Sequence, residues 1–260
     1  MLVNFQAEQE YREQGFTVIK NAYEEDLLLA INNEVENLLD IYKPIQTLAN
    51  VIDSSAGAMH HTILVSELQH NLIKPFRGEA LCKKLLNSEI TLASFGTCSV
   101  RSDKHVYTQK IHRDARSLES SNSMINIIIP LCDSIHANGA TRIISGSHLD
   151  DVQIQPSEEI FDKNAMTIET RLGDMILFNP YCWHRSGVNN TNLPRNVITM
   201  MVVSPWIKPS LDYSKAFGYD KKYTYSKSEL QLLGYNSRVP SSLEEYYKVP
   251  ELRYYQSNQG

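Results

Sequence analysis

Several features are scarce in this chain, and each scarcity narrows what it is. Positive charge is not in excess: 25 Lys and Arg stand against 30 Asp and Glu, a formal net charge of −5 over 260 residues. A nucleic-acid-binding protein usually carries a basic stripe. Here the basic residues are scattered, so no nucleic-acid partner is expected. Cysteine is sparse as well. Cys82, Cys98, Cys132 and Cys182 include no CxxC pair, which argues against a zinc knuckle and reads as reduced core thiols. No apolar run approaches the ~20 residues that a membrane-spanning helix needs. The opening stretch MLVNFQAEQEYREQGF has early acids and no apolar core, so a secretory signal is not expected. Repeats and low-complexity linkers are absent. The default expectation is a cytoplasmic protein with no membrane partner.

What is present is ordinary for a globular protein, with 42% hydrophobic and 21% charged residues. The length suits one large domain with a buried core. Within it, residues 1–89 read as an N-terminal helical support, 90–206 as a β-rich core and 207–260 as Tyr-rich helices and loops packed outside it or over it. FTVIKNA reads as a strand. In EEDLLLAINNEVENLLDIY, Leu28, Ile31, Val35, Leu38 and Leu39 recur at helical spacing behind acids suited to a helix N-terminus. Residues 45–75 read as loop plus a short helix, and GEALCKKLLNS as another helix. From residue 90 short β-rich runs take over: ITLASFGTCSV, HVYTQKIH, SMINIIIPL, ATRIISGSH, AMTIETRL, DMILFNPYCWH and RNVITMMVVSPW. Turn signals separate them, and Asn138-Gly139 predicts a hairpin whose two central residues both take positive φ. Many short strands punctuated in this way indicate a sandwich or barrel.

His112 and Asp114, in TQKIHRDARS, are two positions apart and would share one face of a strand. Alone, the pair fits an exposed strand equally well. Further along, GDMILFNPYCWHRSG predicts a turn and then an apolar strand ending at His184. Two histidines and a carboxylate form the facial triad of non-haem Fe(II) oxygenases, which leaves positions open for a bidentate co-substrate and O2. Eleven residues after His184, Arg195 opens an apolar strand and shares parity with Val197, Thr199 and Met201. A buried unpaired charge is costly. The far carboxylate of 2-oxoglutarate would partner that guanidinium; a surface ion pair is the plainer alternative. Thr108 and Lys110 share the parity of His112, so both are expected on the ligand face, although Lys110 also fits an edge lysine reaching to solvent. Gln109 has the opposite parity. Asn126 interrupts MINIIIPL and either lines the pocket or sits satisfied on the outer face. His60 and His61, in GAMHH, read as solvated loop residues that would at most reach over the mouth of the barrel. His148 is expected to serve its turn and the start of a following helix. Trp183 is expected in the core, and His70, His105 and His136 carry no signal.

The pieces EYREQGFTVIKNA, HRD at 112–114, IIIPLCD with ANGATRIISGSH, and GDMILFNPYCWHRSGVNNTNLPR come in one order. In that order the chain resembles the phytanoyl-CoA dioxygenase family of Fe(II)/2-oxoglutarate oxygenases, which includes ectoine hydroxylase, over residues 10 to about 206. The resemblance implies a mainly β fold with helical additions and a double-stranded β-helix core of the jelly-roll or cupin-like kind. It implies that His112, Asp114 and His184 hold the iron, that Arg195 anchors the co-substrate and that the Ser186 hydroxyl assists that arginine. Ser145 stands where the family commonly has proline, a change expected to alter turn stiffness only. The intact Asp114 disfavours halogenation, which in this family needs a small residue there. The implied activity is hydroxylation of an unactivated C–H bond of a small polar metabolite or natural-product intermediate, releasing succinate and CO2. Desaturation, cyclisation or oxidative dealkylation would use the same site. A non-catalytic jelly-roll protein binding a metal or small molecule is the alternative of another class, but it has no use for the Arg195 anchor. No acyl-CoA site is evident.

Overall fold

The computed structural model describes residues 2–102, 106–115, 117–150 and 154–259. Helix α1 (Leu2–Gln14) turns through Gly15 into strand β1 (Phe16–Ile19). Helix α2 (Glu25–Leu48) carries Glu25 and Asp26 in its first turn, where the helix dipole favours them, and buries Leu28, Ile31, Val35 and Leu38 along one stripe. The other strands are β2 (Ala58–His60), β3 (Thr91–Val100), β4 (Met124–Pro130), β5 (Thr141–Ile144), β6 (Ala165–Thr167), β7 (Met175–Phe178), β8 (His184–Ser186) and β9 (Arg195–Val203). They form two antiparallel sheets. The larger runs β1-β7-β4-β9-β3-β2 and the smaller runs β6-β5-β8.

Period-two alternation gives the larger sheet two buried faces. Ile125, Ile127, Ile129, Ile198, Met200 and Val202 pack with the buried stripe of α2. The opposite parity sends Cys98, Ile128, Ile176, Phe178 and Val197 toward Ile143 of the smaller sheet. This is the jelly-roll arrangement, with a helical layer behind one sheet and a cleft between the two. The Tyr-rich C-terminal segment joins the helical side, where Tyr213, Leu232, Leu233 and Tyr235 enter the same core.

Four local expectations are corrected. Within residues 45–75, Ala58–His60 is not loop but an edge strand paired with β3. HVYTQKIH is not a strand: Tyr107–Gln109 is a 3-10 turn, and only His112 pairs, in an isolated bridge with His184. The Gln109 side chain accepts the Val106 amide at 3.0 Å, which closes that turn in place of a ladder bond. His105 lies outside the described residues. The apolar strand before His184 stops at Phe178, because Pro180 has no amide to donate and the Asn179 side chain accepts the Tyr181 amide at 2.9 Å. His184 then opens β8 in the other sheet. At Asn138-Gly139 only the glycine has positive φ, at 85°. The Asn138 side chain accepts the Ile135 amide at 2.9 Å, so the turn is a wider loop carrying the chain between sheets.

At Gly15 the absence of a side chain lets the end of α1 lie against Cys182 and His148. The Gly15 φ is 83°, and a Cβ there would lie 2.3 Å from Cys182 Sγ and 2.6 Å from His148 Nδ1. Gly15→Ala is expected to remove about 2–4 kcal/mol of stability, from left-handed strain plus overpacking. The measurement is a urea melt: the midpoint should fall without a change in slope, and an unmoved midpoint would contradict the expectation.

Candidate active site

His112, Asp114 and His184 converge as a group whose ligand atoms all lie within 4.8 Å of one another. His112 Nε2 is 3.7 Å from Asp114 Oδ1, and His184 Nε2 is 3.5 Å from Asp114 Oδ2. The imidazole centroids are 4.2 Å apart. No continuous strand is needed to hold them. The main chains of His112 and His184 exchange two hydrogen bonds of 3.0 Å, and the Asp114 and Ala115 amides both donate to the Pro180 carbonyl, at 2.8 and 3.0 Å.

What their Nδ1 atoms touch leaves both histidines able to serve as ligands through Nε2. His112 Nδ1 is 2.7 Å from the Lys110 carbonyl and His184 Nδ1 is 3.0 Å from the Cys182 carbonyl. A carbonyl only accepts, so both Nδ1 atoms carry the hydrogen and both Nε2 atoms offer a lone pair. Burial first, and His112 second, push the His184 imidazole down to about 4 against the pull of Asp114, so it is neutral near pH 7. The Phe178 ring meets it edge-on at 4.7 Å.

Asn126 lines the cleft and donates from Nδ2 to Asp114 Oδ2, so its contact is with the carboxylate of the triad. Asn126→Ala is expected to weaken metal binding about 10–100-fold, the usual effect of losing an outer partner of a ligand. Anaerobic Fe(II) titration of the variant measures this, and wild-type affinity would rule the role out.

Arg195 is 3% exposed. Its Nη2 donates to Ser186 Oγ at 2.5 Å, while Nε has no partner, and among the described residues no carboxylate pairs with it. Ser186 and His184 stand two apart on β8, so one three-residue strand carries both a triad member and the partner of the arginine. As parity predicts, Arg195, Val197, Thr199 and Met201 all line the cleft, an open space of about 850 Å³ including its mouth. Thr108 also lines it, its buried hydroxyl beside the Cys98 thiol and without an oxygen or nitrogen partner. Lys110 does not line it: its side chain is exposed, and it serves the site through its carbonyl. The 3-10 turn explains this, because it breaks the alternation that would have turned the lysine inward.

Four residues play parts that the sequence did not reveal. The Arg113 guanidinium lies 3.7 Å from the Tyr181 ring centroid and 4.4 Å from that of Trp183, and it donates to the Ser147 carbonyl at 2.5 Å. It ties the His-Arg-Asp segment to the β7–β8 connection. Trp183 is therefore a half-buried cover on Arg113, not a core residue. An arginine between His112 and Asp114, with two aromatics just before His184, is the sequence signal for this. His60 is exposed, as expected, but it lines the cleft from strand β2 and not from a loop, and His61 Nδ1 is 2.8 Å from the Tyr213 hydroxyl, so His61 is tied down. His148 serves its turn as expected, with Nε2 3.0 Å from the Arg12 carbonyl, but the next helix starts only at Glu158.

Comparison with known proteins places this geometry. The uncharacterized protein Rv1501 of Mycobacterium tuberculosis is 29% identical over 157 residues, covering 60% of this chain and 56% of that protein. Dioxygenase olcK of Penicillium canescens is 25% identical over 217 residues, covering 72% of this chain and 66% of olcK. The match thus spans little more than half of the first relative's length. Among solved structures, the epimerase SnoN in complex with Fe3+, alpha ketoglutarate and nogalamycin RO shares the fold, with a TM-score of 0.60 at 17% identity over 78% of this chain and 84% of that one. Among the described residues no helix is long and apolar enough to cross a membrane. Residues 11–197, from the last turn of α1 into β9, match the family described as Phytanoyl-CoA dioxygenase (PhyH) and enclose His112, Asp114, His184 and Arg195: the chain belongs to the phytanoyl-CoA dioxygenase family.

Proposed function

We propose that this chain is an Fe(II)- and 2-oxoglutarate-dependent dioxygenase that hydroxylates an unactivated C–H bond of a small polar metabolite or natural-product intermediate. The observation that carries the reading is the buried Arg195, with an unpartnered Nε, in the same cleft as two imidazoles and a carboxylate. The donor set suits ferrous iron, and three protein ligands leave positions open for a co-substrate. A desolvated guanidinium without a carboxylate suits a dicarboxylate. The residues therefore fit both groups: His112, Asp114 and His184 would hold the metal, and Arg195, Ser186 and Thr108 would hold the far carboxylate of 2-oxoglutarate.

When bound, iron and 2-oxoglutarate supply the oxidant from O2, with succinate and CO2 as co-products of substrate oxidation. The chain does the rest. The Lys110 and Cys182 carbonyls fix both imidazoles in the tautomer that offers Nε2, and Asn126 fixes the Asp114 carboxylate. Ser186 orients the Arg195 fork. Ile128, Phe178 and Val197 line the cleft with apolar surface that excludes water. The same site serves desaturation, cyclisation or dealkylation, which differ in product mass. A non-catalytic binding protein is disfavoured by the orphaned guanidinium, which a structural metal alone would not use.

The test is anaerobic addition of Fe(II) and 2-oxoglutarate to the purified protein. A weak visible charge-transfer band is expected, followed in air by succinate release that depends on both additions. No band and no succinate would end this reading.

A further inference from the structure

The floor of the cleft is the face of the larger sheet turned away from α2, and strand register lays its side chains out in rows. One row runs His60, Gly96, Thr199, Ile128. The next runs Ser94, Met201, Asn126, Phe178. Asn126 holds Asp114 and Phe178 packs on His184, so the triad stands over that end of the rows. The opposite end, toward the β2 edge, has a different character. His60 and Ser94 face the cleft there, and Tyr107 stands beside His60 with ring centroids 6.4 Å apart.

The backbone around His60 is fixed: its carbonyl accepts the Tyr42 hydroxyl at 2.7 Å, and the next amide donates to the Phe95 carbonyl at 2.5 Å. Its imidazole is not engaged. Among the described residues, no hydrogen bond within the protein reaches the His60 ring, the Tyr107 hydroxyl or the Ser94 hydroxyl. His61 next door is the contrast, since its ring is tied to Tyr213. Burial lowers the His60 pKa, so the ring is neutral and both donates and accepts. Between this polar edge and the triad, Gly96 contributes no side chain, the Thr199 hydroxyl donates to the Gly96 carbonyl at 3.5 Å, and Ile128, Phe178 and Met201 are apolar. The charged residues described along the cleft are Asp114, in the triad, Arg185, paired with Glu158 and Asp162, and Arg195, which on the reading above takes the co-substrate carboxylate.

We propose that His60, Tyr107 and Ser94 are the polar anchor for the substrate: they hydrogen-bond the hydroxyl or carbonyl oxygens of an uncharged, flat molecule whose apolar body lies over Gly96 and Ile128, toward the triad. This rests on the dioxygenase reading above and names its substrate class. With Arg195 taken by the co-substrate and Arg185 paired, a substrate carrying a carboxylate or phosphates finds no further arginine or lysine among the described lining residues.

The probe is a dihydroxynaphthalene with its hydroxyls at opposite ends, titrated by fluorescence quenching into protein loaded with Zn(II) and 2-oxoglutarate. It is expected to bind wild type, and the double variant His60→Ala/Tyr107→Phe should raise its Kd by about tenfold or more, the loss of two hydrogen bonds. Naphthoate and palmitoyl-CoA should each bind at least about tenfold more weakly than the diol. The anaerobic Fe(II)–2-oxoglutarate band is recorded on the same samples. A band in wild type with no diol binding overturns this proposal alone, as does equal binding by the double variant or by the anions. No band in wild type overturns the dioxygenase reading and this proposal with it. If the double variant itself loses the band, Tyr107→Phe and Ser94→Ala, each removing a single oxygen, replace it. Each should then weaken binding about threefold or more, and no weakening by either overturns the proposal.

Discussion

Asp114→Ala is expected to abolish succinate release and to lower Fe(II) affinity by more than about 100-fold. That bound comes from comparison: losing an outer partner of a ligand already costs up to about 100-fold, and Asp114 is itself one of the three converging side chains. The variant is also the cleanest of the triad. The Asp114 side chain is 32% exposed, whereas that of His184 is 7% exposed, so its removal opens less of the core. The Asp114 amide stays on the Pro180 carbonyl whatever the side chain is, so the backbone geometry should persist. His184→Ala should be equally inactive but less stable, because it empties space beside Phe178. Three measurements decide the matter: succinate by mass spectrometry, iron by titration and the urea midpoint. Succinate release surviving in Asp114→Ala or His112→Ala would remove the triad from the chemistry.

Arg195→Met should separate binding from stability in opposite directions. On the proposed reading, the guanidinium of the loaded protein would face the far carboxylate of 2-oxoglutarate. Truncating one partner of such a pair costs about 2–5 kcal/mol, so the 2-oxoglutarate Kd should rise about 30- to 5000-fold. In the ligand-free protein the same residue is a buried cation that, among the described residues, hydrogen-bonds Ser186 alone, and burial draws its pKa below the ordinary value. An apolar side chain of similar length should then leave the melting temperature unchanged or raise it. Arg195→Lys keeps the charge but not the fork and should fall between. The charge-transfer band supplies the Kd and calorimetry the melting temperature. A variant that keeps its affinity for 2-oxoglutarate would place the co-substrate elsewhere.

The parts of the site that could be read ahead are those governed by regular alternation. On β9, Arg195, Val197, Thr199 and Met201 do share the cleft face, because the strand pairs residue by residue with β3 from Arg195 to Met201 and with β4 from Val197 onward. The stripe of α2 is where its spacing puts it. The order of His112, Asp114, His184 and Arg195 along the chain likewise pointed to one site. What escaped depends on contacts that leave no period. A single side-chain bond from Gln109 turns a would-be strand into a 3-10 turn and sends Lys110 outward. The β2 strand is three residues long and exists by pairing with residues more than thirty positions on. Arg113 acquires its role from Tyr181 and Trp183, which only the folded chain brings beneath it. The break between β7 and β8 was spelled by Asn179-Pro180, but its effect, passing the chain to the other sheet, is tertiary.

The end of α1 touches the metal region without contributing a side chain to it. Gly15 offers its carbonyl to the Asn179 amide at 2.7 Å, at the corner that leads to His184. Gln14 and Arg12 offer theirs to Gly146 and His148 in the turn after β5. The leading helix is thus a bracket for the corner that delivers the second imidazole. Because the bracket is made of peptide carbonyls, it makes no demand on the side chains of Arg12 and Gln14, whereas Ala7 and Tyr11 are held by the core. A shortened protein beginning at Phe16 would lose it entirely, and the damage would register at the iron, far from the cut in sequence.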